Sequence, residues 1–301
     1  MITEISKDIF LIDLPQKKEG FRNFISSWVI RDGNNALVVD VGPKSTINKL
    51  VDFLKYLKVE RVNYVLITHI HIDHAGGLAD FLKYFDAKVV LHEKAEKHMI
   101  DTEKLWEGTK KVLGDLAEMY GHIDPIAEDS IYKGDVEFKG VEVEIIKTPG
   151  HAVHHQSYLF DNYLFAGEAL GVHQPLKRDY YLRPATPPRF VFDIAYNSIK
   201  KLENLGDHIV CFGHYGFEPK SLEIIDLFKK QLKLWVKVVS ENASQYESDD
   251  EIIRASKAEL LKVDKLFAKY EMLDDDIKKR EDYFIENSLK GILGWVKSQN
   301  S

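Results

Sequence analysis

The chain has 301 residues, 45% hydrophobic and 30% charged, which suits one or two globular domains and excludes a disordered polymer. Its 41 basic and 48 acidic residues leave a formal net charge of −7, so no nucleic acid is expected as a partner, because phosphate binding needs a basic footprint. The single cysteine, Cys211, excludes an intrachain disulfide, no apolar run approaches the ~20 residues of a membrane span, and no secretory signal opens the sequence, so a cytoplasmic address without a membrane partner is expected.

Strands are predicted at 8–13, 26–31 and 36–42, the last two joined as a hairpin by the turn chemistry of RDGNN. A helix over 47–57 follows, with Leu50, Phe53, Leu54 and Leu57 on one face. The apolar run 62–68 reads as a buried strand, followed by a helix over 77–85 and a strand over 87–92. Residues 93–120 read as a polar helical excursion on the surface. Strands return at 135–148, 157–160 and 162–168. A loop over 173–188 ends at Pro187-Pro188, where a helix over 188–205 begins, and 208–214 is the last strand.

Beyond Pro219 the pattern changes. Leu222, Ile225, Phe228, Leu232, Trp235, Val236 and Val239 recur at helical spacing, as do Ile285, Leu289, Ile292, Leu293 and Val296 near the end. The division is therefore expected near 218, with a mixed α/β core over 1–218 and a helical extension over 219–301 that caps a site or forms a homodimer interface. Trp235 and Trp295 are expected in the core, and the charged stretch 247–282 as a solvated face. The abundance of Lys, Glu and Ile hints at a thermophile.

The chemistry concentrates in Thr68-His69-Ile70-His71-Ile72-Asp73-His74-Ala75-Gly76-Gly77. On an extended segment His69 and His71 point the same way and can reach one ion. Asp73 and His74 fall at the turn into the next helix and can serve a second ion beside it. Imidazole with carboxylate suits zinc, and also iron, manganese or cobalt. No GxSxG elbow or Walker A loop offers a competing chemistry.

Residues 68–74 resemble the HxHxDH signature of the metallo-β-lactamase superfamily. Val38-Val39-Asp40-Val41-Gly42, Thr148-Pro149-Gly150-His151 and Cys211-Phe212-Gly213-His214 look like its other motifs, in order, over about residues 5 to 216. The resemblance implies a four-layer αββα sandwich, here with an all-helical C-terminal extension, and a glyoxalase II-like or archaeal-type metal-dependent hydrolase. It implies that His69, His71 and His151 hold one metal, that Asp73, His74 and His214 hold another, and that Glu168 bridges where the family usually has aspartate. Two divalent ions are expected, zinc foremost, with iron or manganese as alternatives. A metal-bridging hydroxide would then attack the carbonyl of a small-molecule thioester, ester or lactone, with Asp73 orienting it and carrying a proton.

The family offers further distinctions. Glyoxalase II-like thioesterases resemble this chain in their helical extension, which favours a thioester. Acyl-homoserine lactonases usually carry tyrosine three residues after the bridging acid, where this chain has Gly171. Persulfide dioxygenases, with one iron, are the oxidoreductase alternative. Loop 171–188 is expected at the cleft rim, with Tyr180, Tyr181 and Arg183 as substrate contacts. Asp40 is expected to support the metal turn and Cys211 to be an inert core thiol. His154 and His155 are expected near the site or at the surface, His92 as a structural hydrogen bonder, and His173 within reach of the cleft.

Overall fold

The computed structural model describes residues 1–299. The first sheet runs β1 (Ile2–Ser6), β2 (Ile9–Asp13), β3 (Ser26–Asp32), β4 (Asn35–Val39), β5 (Arg61–Leu66) and β6 (Lys88–Val90), side by side in chain order. The pairs from β1 to β4 are antiparallel. The pairs β4–β5 and β5–β6 are parallel, because α1 (Ile47–Tyr56), α2 (Ile72–Ala75) and α3 (Leu78–Leu82) carry the chain back between them. The polar excursion forms α4 (Glu93–Ile100), α5 (Glu103–Leu113) and α6 (Asp115–Tyr120).

The second sheet comprises β7 (Glu137–Phe138), β8 (Val141–Lys147), β9 (Gln156–Phe160) and β10 (Tyr163–Gly167). Before it closes, the chain makes a separate hairpin of β11 (Val172–Pro175) and β12 (Tyr180–Arg183), then α7 (Phe192–Glu203). β13 (Ile209–Phe212) and β14 (Phe217–Glu218) complete an order of β14-β13-β10-β9-β8-β7. The extension is α8 (Ser221–Ala243), α9 (Asp249–Val263) and α10 (Asp275–Gln299).

Strand periodicity builds the layers. In β2, Phe10 and Ile12 face the helices of the first half, while Ile9 and Leu11 face the second sheet. In β10, Leu164 and Ala166 join the core beneath α7, α8 and α10, and Phe165 joins the core between the sheets. Three apolar layers therefore separate four layers of structure, giving the expected αββα sandwich. The extension shares the third apolar layer: Ile225, Phe228, Trp235, Leu289 and Ile292 pack with Leu164, Leu170 and Phe212. Contact is close at Gly291, where an added Cβ would lie 1.9 Å from the Thr186 carbonyl oxygen.

Two local expectations are corrected and one strand is added. β1 was not anticipated, because its half-buried edge position needs no apolar alternation. The expected loop over 173–188 contains the β11–β12 hairpin, held by main-chain bonds that its polar side chains do not advertise. The stretch 247–282 is not wholly solvated: Asp264, Arg280 and Glu281 are buried and paired. Trp235 is fully buried, and Trp295 is partly buried against the same core.

Candidate metal centre

The sheets deliver their C-terminal strand ends and loops to one edge of the sandwich. Asp40 follows β4 in a left-handed conformation, φ 55°. Its carboxylate accepts bonds from the Thr68 backbone N–H at 2.8 Å, the Thr68 hydroxyl at 2.7 Å and His74 Nδ1–H at 2.9 Å. One buried acid thus pins both ends of the 68–74 segment, the support expected of it. His71 precedes α2 in extended geometry and Asp73 and His74 lie within its single turn.

The imidazoles are oriented by their outward nitrogens. His69 Nδ1 meets the Thr68 hydroxyl at 3.1 Å, His151 Nδ1–H donates to the Ala185 carbonyl at 3.0 Å, and His214 Nδ1–H donates to the Phe24 carbonyl at 3.2 Å. With His74 held by Asp40, four rings turn Nε2 inward. His71 instead presents Nδ1, 2.8 Å from His151 Nε2.

Glu168 stands at the focus. Its oxygens lie 2.9 Å from His151 Nε2, 3.2 Å from His69 Nε2, 3.2 Å from His214 Nε2 and 3.6 Å from His74 Nε2. Asp73 Oδ2 approaches His214 and His74 Nε2 at 3.7 and 3.9 Å. Glu168 is placed by His155, whose Nε2 accepts the Glu168 backbone N–H at 3.0 Å while its Nδ1 meets the Thr148 hydroxyl at 2.9 Å. Gly167 makes this approach possible: at φ 56°, an added Cβ would lie 2.4 Å from His155 Nε2.

Two donor groups result. His69, His71, His151 and Glu168 form one, and Asp73, His74 and His214 form the other, with the ligand atoms in each within 4.8 Å of one another. The histidines and Asp73 divide as the resemblance implies, while Glu168, expected between the two groups, falls with the first. Among the described residues, the Nε2 atoms of His69 and His74 are buried and make no hydrogen bond. Such orphaned nitrogens are costly in a protein interior unless a cation takes their lone pairs. The mixed imidazole–carboxylate set fits a borderline divalent ion better than calcium or magnesium.

The electrostatics favour neutral, ligand-competent rings at His69 and His71 beside an ionised acid, and a protonated ring at His74, whose proton a bound cation would displace. Burial, then the neighbouring His74 and His71, holds His69 well below the usual histidine range; burial and His151 do the same for His71. Burial opposes ionisation of Glu168, but the histidines, His151 and His214 first, outweigh it and hold its carboxyl well below the usual range. At His74 burial is outweighed by the Asp73 and Asp40 charges, and its pKa is raised.

The other expected site residues divide. Tyr181 and Arg183 lie in the interior rather than at a rim: the Tyr181 hydroxyl donates to Glu281 at 3.1 Å and Arg183 Nε donates to the same oxygen at 2.5 Å. The apolar face of β12 and a buried carboxylate on α10 draw them inward. Tyr180 stays half-buried, stacked on His173 with ring centroids 5.3 Å apart. His173 does not join the cleft either: its Nδ1–H donates to the Tyr215 carbonyl at 3.0 Å and its Nε2 meets Glu218 Oε1 at 3.2 Å. Cys211 is buried between the sheets, and burial pushes its thiol pKa up. His92 caps α4, its Nδ1 accepting the Lys94 N–H.

Sequence reasoning missed Phe24, Tyr120 and Arg280. The Tyr120 hydroxyl is buried without a hydrogen bond, and burial followed by the Asp73 charge raises its pKa well above the usual range. None of the three lies in a motif. Tyr120 ends a helix that reads as surface, and Arg280 lies inside a charged run.

Comparison with protein families matches residues 20–214 to the metallo-beta-lactamase superfamily. The metallo-beta-lactamase fold-containing protein ST1585 of Sulfurisphaera tokodaii is 31% identical over 222 residues, covering 71% of this chain and 81% of the relative. Hydroxyacylglutathione hydrolase of Xanthomonas campestris is 26% identical over 200 residues, covering 64% of this chain and 60% of the relative. Among solved structures, the archaeal superfamily protein ST1585 from Sulfolobus tokodaii superposes with a TM-score of 0.68 at 24% identity, covering 94% of this chain and 97% of that one.

Proposed function

This chain belongs to the metallo-beta-lactamase superfamily, and from that premise we propose that it is a dinuclear metal-dependent hydrolase of thioester or related ester bonds in a small molecule. The observation that carries the reading is the convergence of the His69 and His74 Nε2 atoms, buried and without hydrogen bonds among the described residues, on the same Glu168 oxygen, at 3.2 and 3.6 Å. Two divalent cations, zinc foremost, would supply Lewis acidity and a more acidic water in that space.

The chain's own groups divide the remaining work. His69, His71, His151 and Glu168 would hold one ion and His74, Asp73 and His214 the other, with the Glu168 oxygens also 3.2 and 3.6 Å from His214 and His74 Nε2. The Glu168 main chain is anchored by its N–H bond to His155 Nε2 at 3.0 Å. The Asp73 carboxylate faces the same space and is placed to accept a proton from water and return it to the leaving group. His69, His74, His214 and Glu168 are buried, while His71, Asp73 and His151 stay part-exposed at the sheet edge.

The similarity to a hydroxyacylglutathione hydrolase supports a thioester. The lactonase reading loses its tyrosine for a steric reason: at Gly171, φ 84°, an added Cβ would lie 2.3 Å from the Arg183 carbonyl oxygen. The test is a panel of acyl thioesters, esters and lactones assayed before and after chelation and metal restoration. Thioester hydrolysis that disappears and returns with the metal supports the proposal. An inactive metal-replete protein on the whole panel, or oxygen consumption with a persulfide, overturns it.

A further inference from the structure

The helical extension reaches toward the second donor group through two stacked planes. Arg280, on α10 and 4% exposed, lays its guanidinium on the Phe24 ring, Cζ 3.9 Å from the centroid. The ring stacked on Phe24 is the His214 imidazole, with centroids 4.2 Å apart and planes within 22°, while Phe21 and Phe284 meet it at 5.7 and 5.4 Å. The Phe24 carbonyl also accepts the His214 Nδ1–H. One residue therefore holds this imidazole both at its edge and on its face.

Arg280 is itself fixed. Its Nε and Nη2 donate to Glu281 Oε1 at 3.1 and 3.0 Å, Nη1 donates to the Gly20 carbonyl at 2.7 Å, and Nη2 also donates to Gln174 at 3.1 Å. The loop bearing Phe24 is tied to the start of α10 as well. Gly20 N–H donates to Asp276 at 3.0 Å, and Arg22 pairs with Asp274 and Asp276. An added Cβ at Gly20 would lie 2.2 Å from the Asp276 carbonyl oxygen, so the loop sits directly on the helix.

A ring held by one hydrogen bond at Nδ1 still pivots about that bond, because the terminal torsion of histidine is broad. A flat partner on its face removes the pivot, and a guanidinium on the far side of that partner keeps it flat through cation–π attraction. We propose that Arg280, acting through Phe24, is a positioning residue for His214, so that the extension sets the lone-pair direction of a donor in the second metal site. The inference rests on the metal-centre reading. It gives the extension a role as a structural wall of the site, distinct from a lid or a dimer surface.

The test uses full-length protein with Arg280→Met, Arg280→Lys and Phe24→Leu. Imidazole NMR of the metal-free protein reads the His214 ring, and cobalt(II) titration reads the two donor groups separately. Partners behind a ligand typically matter 10- to 100-fold in metal affinity. Arg280→Met is expected to weaken the Asp73–His74–His214 group about tenfold and the His69–His71–His151 group less than about twofold. The His214 signals should lose their ring-current shift or broaden, and Arg280→Lys should fall between methionine and wild type.

Unchanged His214 signals with unchanged second-site affinity overturn the proposal, as does equal loss at both groups, which would mark general loosening. If Arg280→Met does not fold, Phe24→Leu decides, since it removes the plane and keeps the Arg280 bonds; full second-site affinity there overturns the proposal. If the wild type takes up no cobalt, the metal-centre reading fails, and the NMR comparison alone still decides the positioning role.

Discussion

Glu168 and Glu281 are both buried carboxylates surrounded by nitrogen, one at the sheet edge and the other on α10. Around Glu281 the nitrogens are donors: Arg183 Nε and Tyr181 supply one oxygen, Arg280 supplies the other twice, and the remaining Arg280 protons go to Gly20 and Gln174. Around Glu168 the nitrogens are imidazoles, and two of them bury Nε2 without a hydrogen bond. The first cluster satisfies its polar groups internally and fastens the extension to the core. The second leaves lone pairs converging on one point, which is expensive for a structural cluster and useful for a ligand-binding one. Matching burial with opposite hydrogen-bond completeness separates the scaffold from the site.

Mutation should expose the difference as opposite phenotypes. The largest effect is expected at the sheet edge: His71→Ala should abolish hydrolysis, and Asp73→Ala should lower kcat by about 10²- to 10⁴-fold, the range of a lost acid–base group. Both should leave the thermal midpoint close to that of wild type, measured on metal-free protein. Retained activity in His71→Ala would break the comparison at its first term.

Next in size, Glu281→Ala should destabilise the fold by about 3–5 kcal/mol in urea titration, because two buried guanidiniums lose their carboxylate. Its pH dependence sharpens the same contrast. Burial raises the Glu281 pKa, but Arg183 and Arg280 outweigh it and bring it to about 2. A carboxyl depressed in the fold contributes its full stability above its unfolded value, near 4.3, and loses it as pH falls toward 2. Metal-free wild type should therefore lose stability across that window more steeply than Glu281→Gln; parallel curves would contradict the assignment.

The smallest effect is expected at a third buried acid. Asp13 accepts only the Asn23 N–H in hydrogen bonding, and burial pushes its pKa up to about 6. A raised acid favours its protonated form in the fold, so its stabilising contribution is present below the unfolded value, near 3.9, and is lost as pH rises to 6. Asp13→Asn should stabilise the protein by about 1 kcal/mol at pH 7, and the gain should vanish near pH 4. A gain independent of pH would point to a cause other than the carboxylate.

The site was more legible in the sequence than its surroundings. Each candidate ligand lies in a short motif just beyond a strand or, for Asp73 and His74, in the single turn of α2 that follows, and local geometry suffices to aim His69, His71 and His74. The sandwich was legible for the same reason: alternating strands such as β2 and β10 show both of their faces in their spelling. Arg183 and Glu281 were not, because they meet across 98 residues: alone, Arg183 reads as a cleft-rim contact and Glu281 as one charge of a solvated run. Phe24 likewise sits in a loop with no periodicity, and its meaning comes only from the ring above and the guanidinium below. Long-range pairing of polar residues leaves no local signature, and a helix of mixed charge such as α10 conceals which of its charges are buried.

The most direct test of the central claim is metal content per chain, by plasma mass spectrometry on protein purified without added metal or chelator and compared with His71→Ala and His214→Ala. The account predicts close to two divalent ions per wild-type chain, chiefly zinc, with loss at the corresponding donor group in each variant. A folded wild type that carries no metal and takes up none would contradict it.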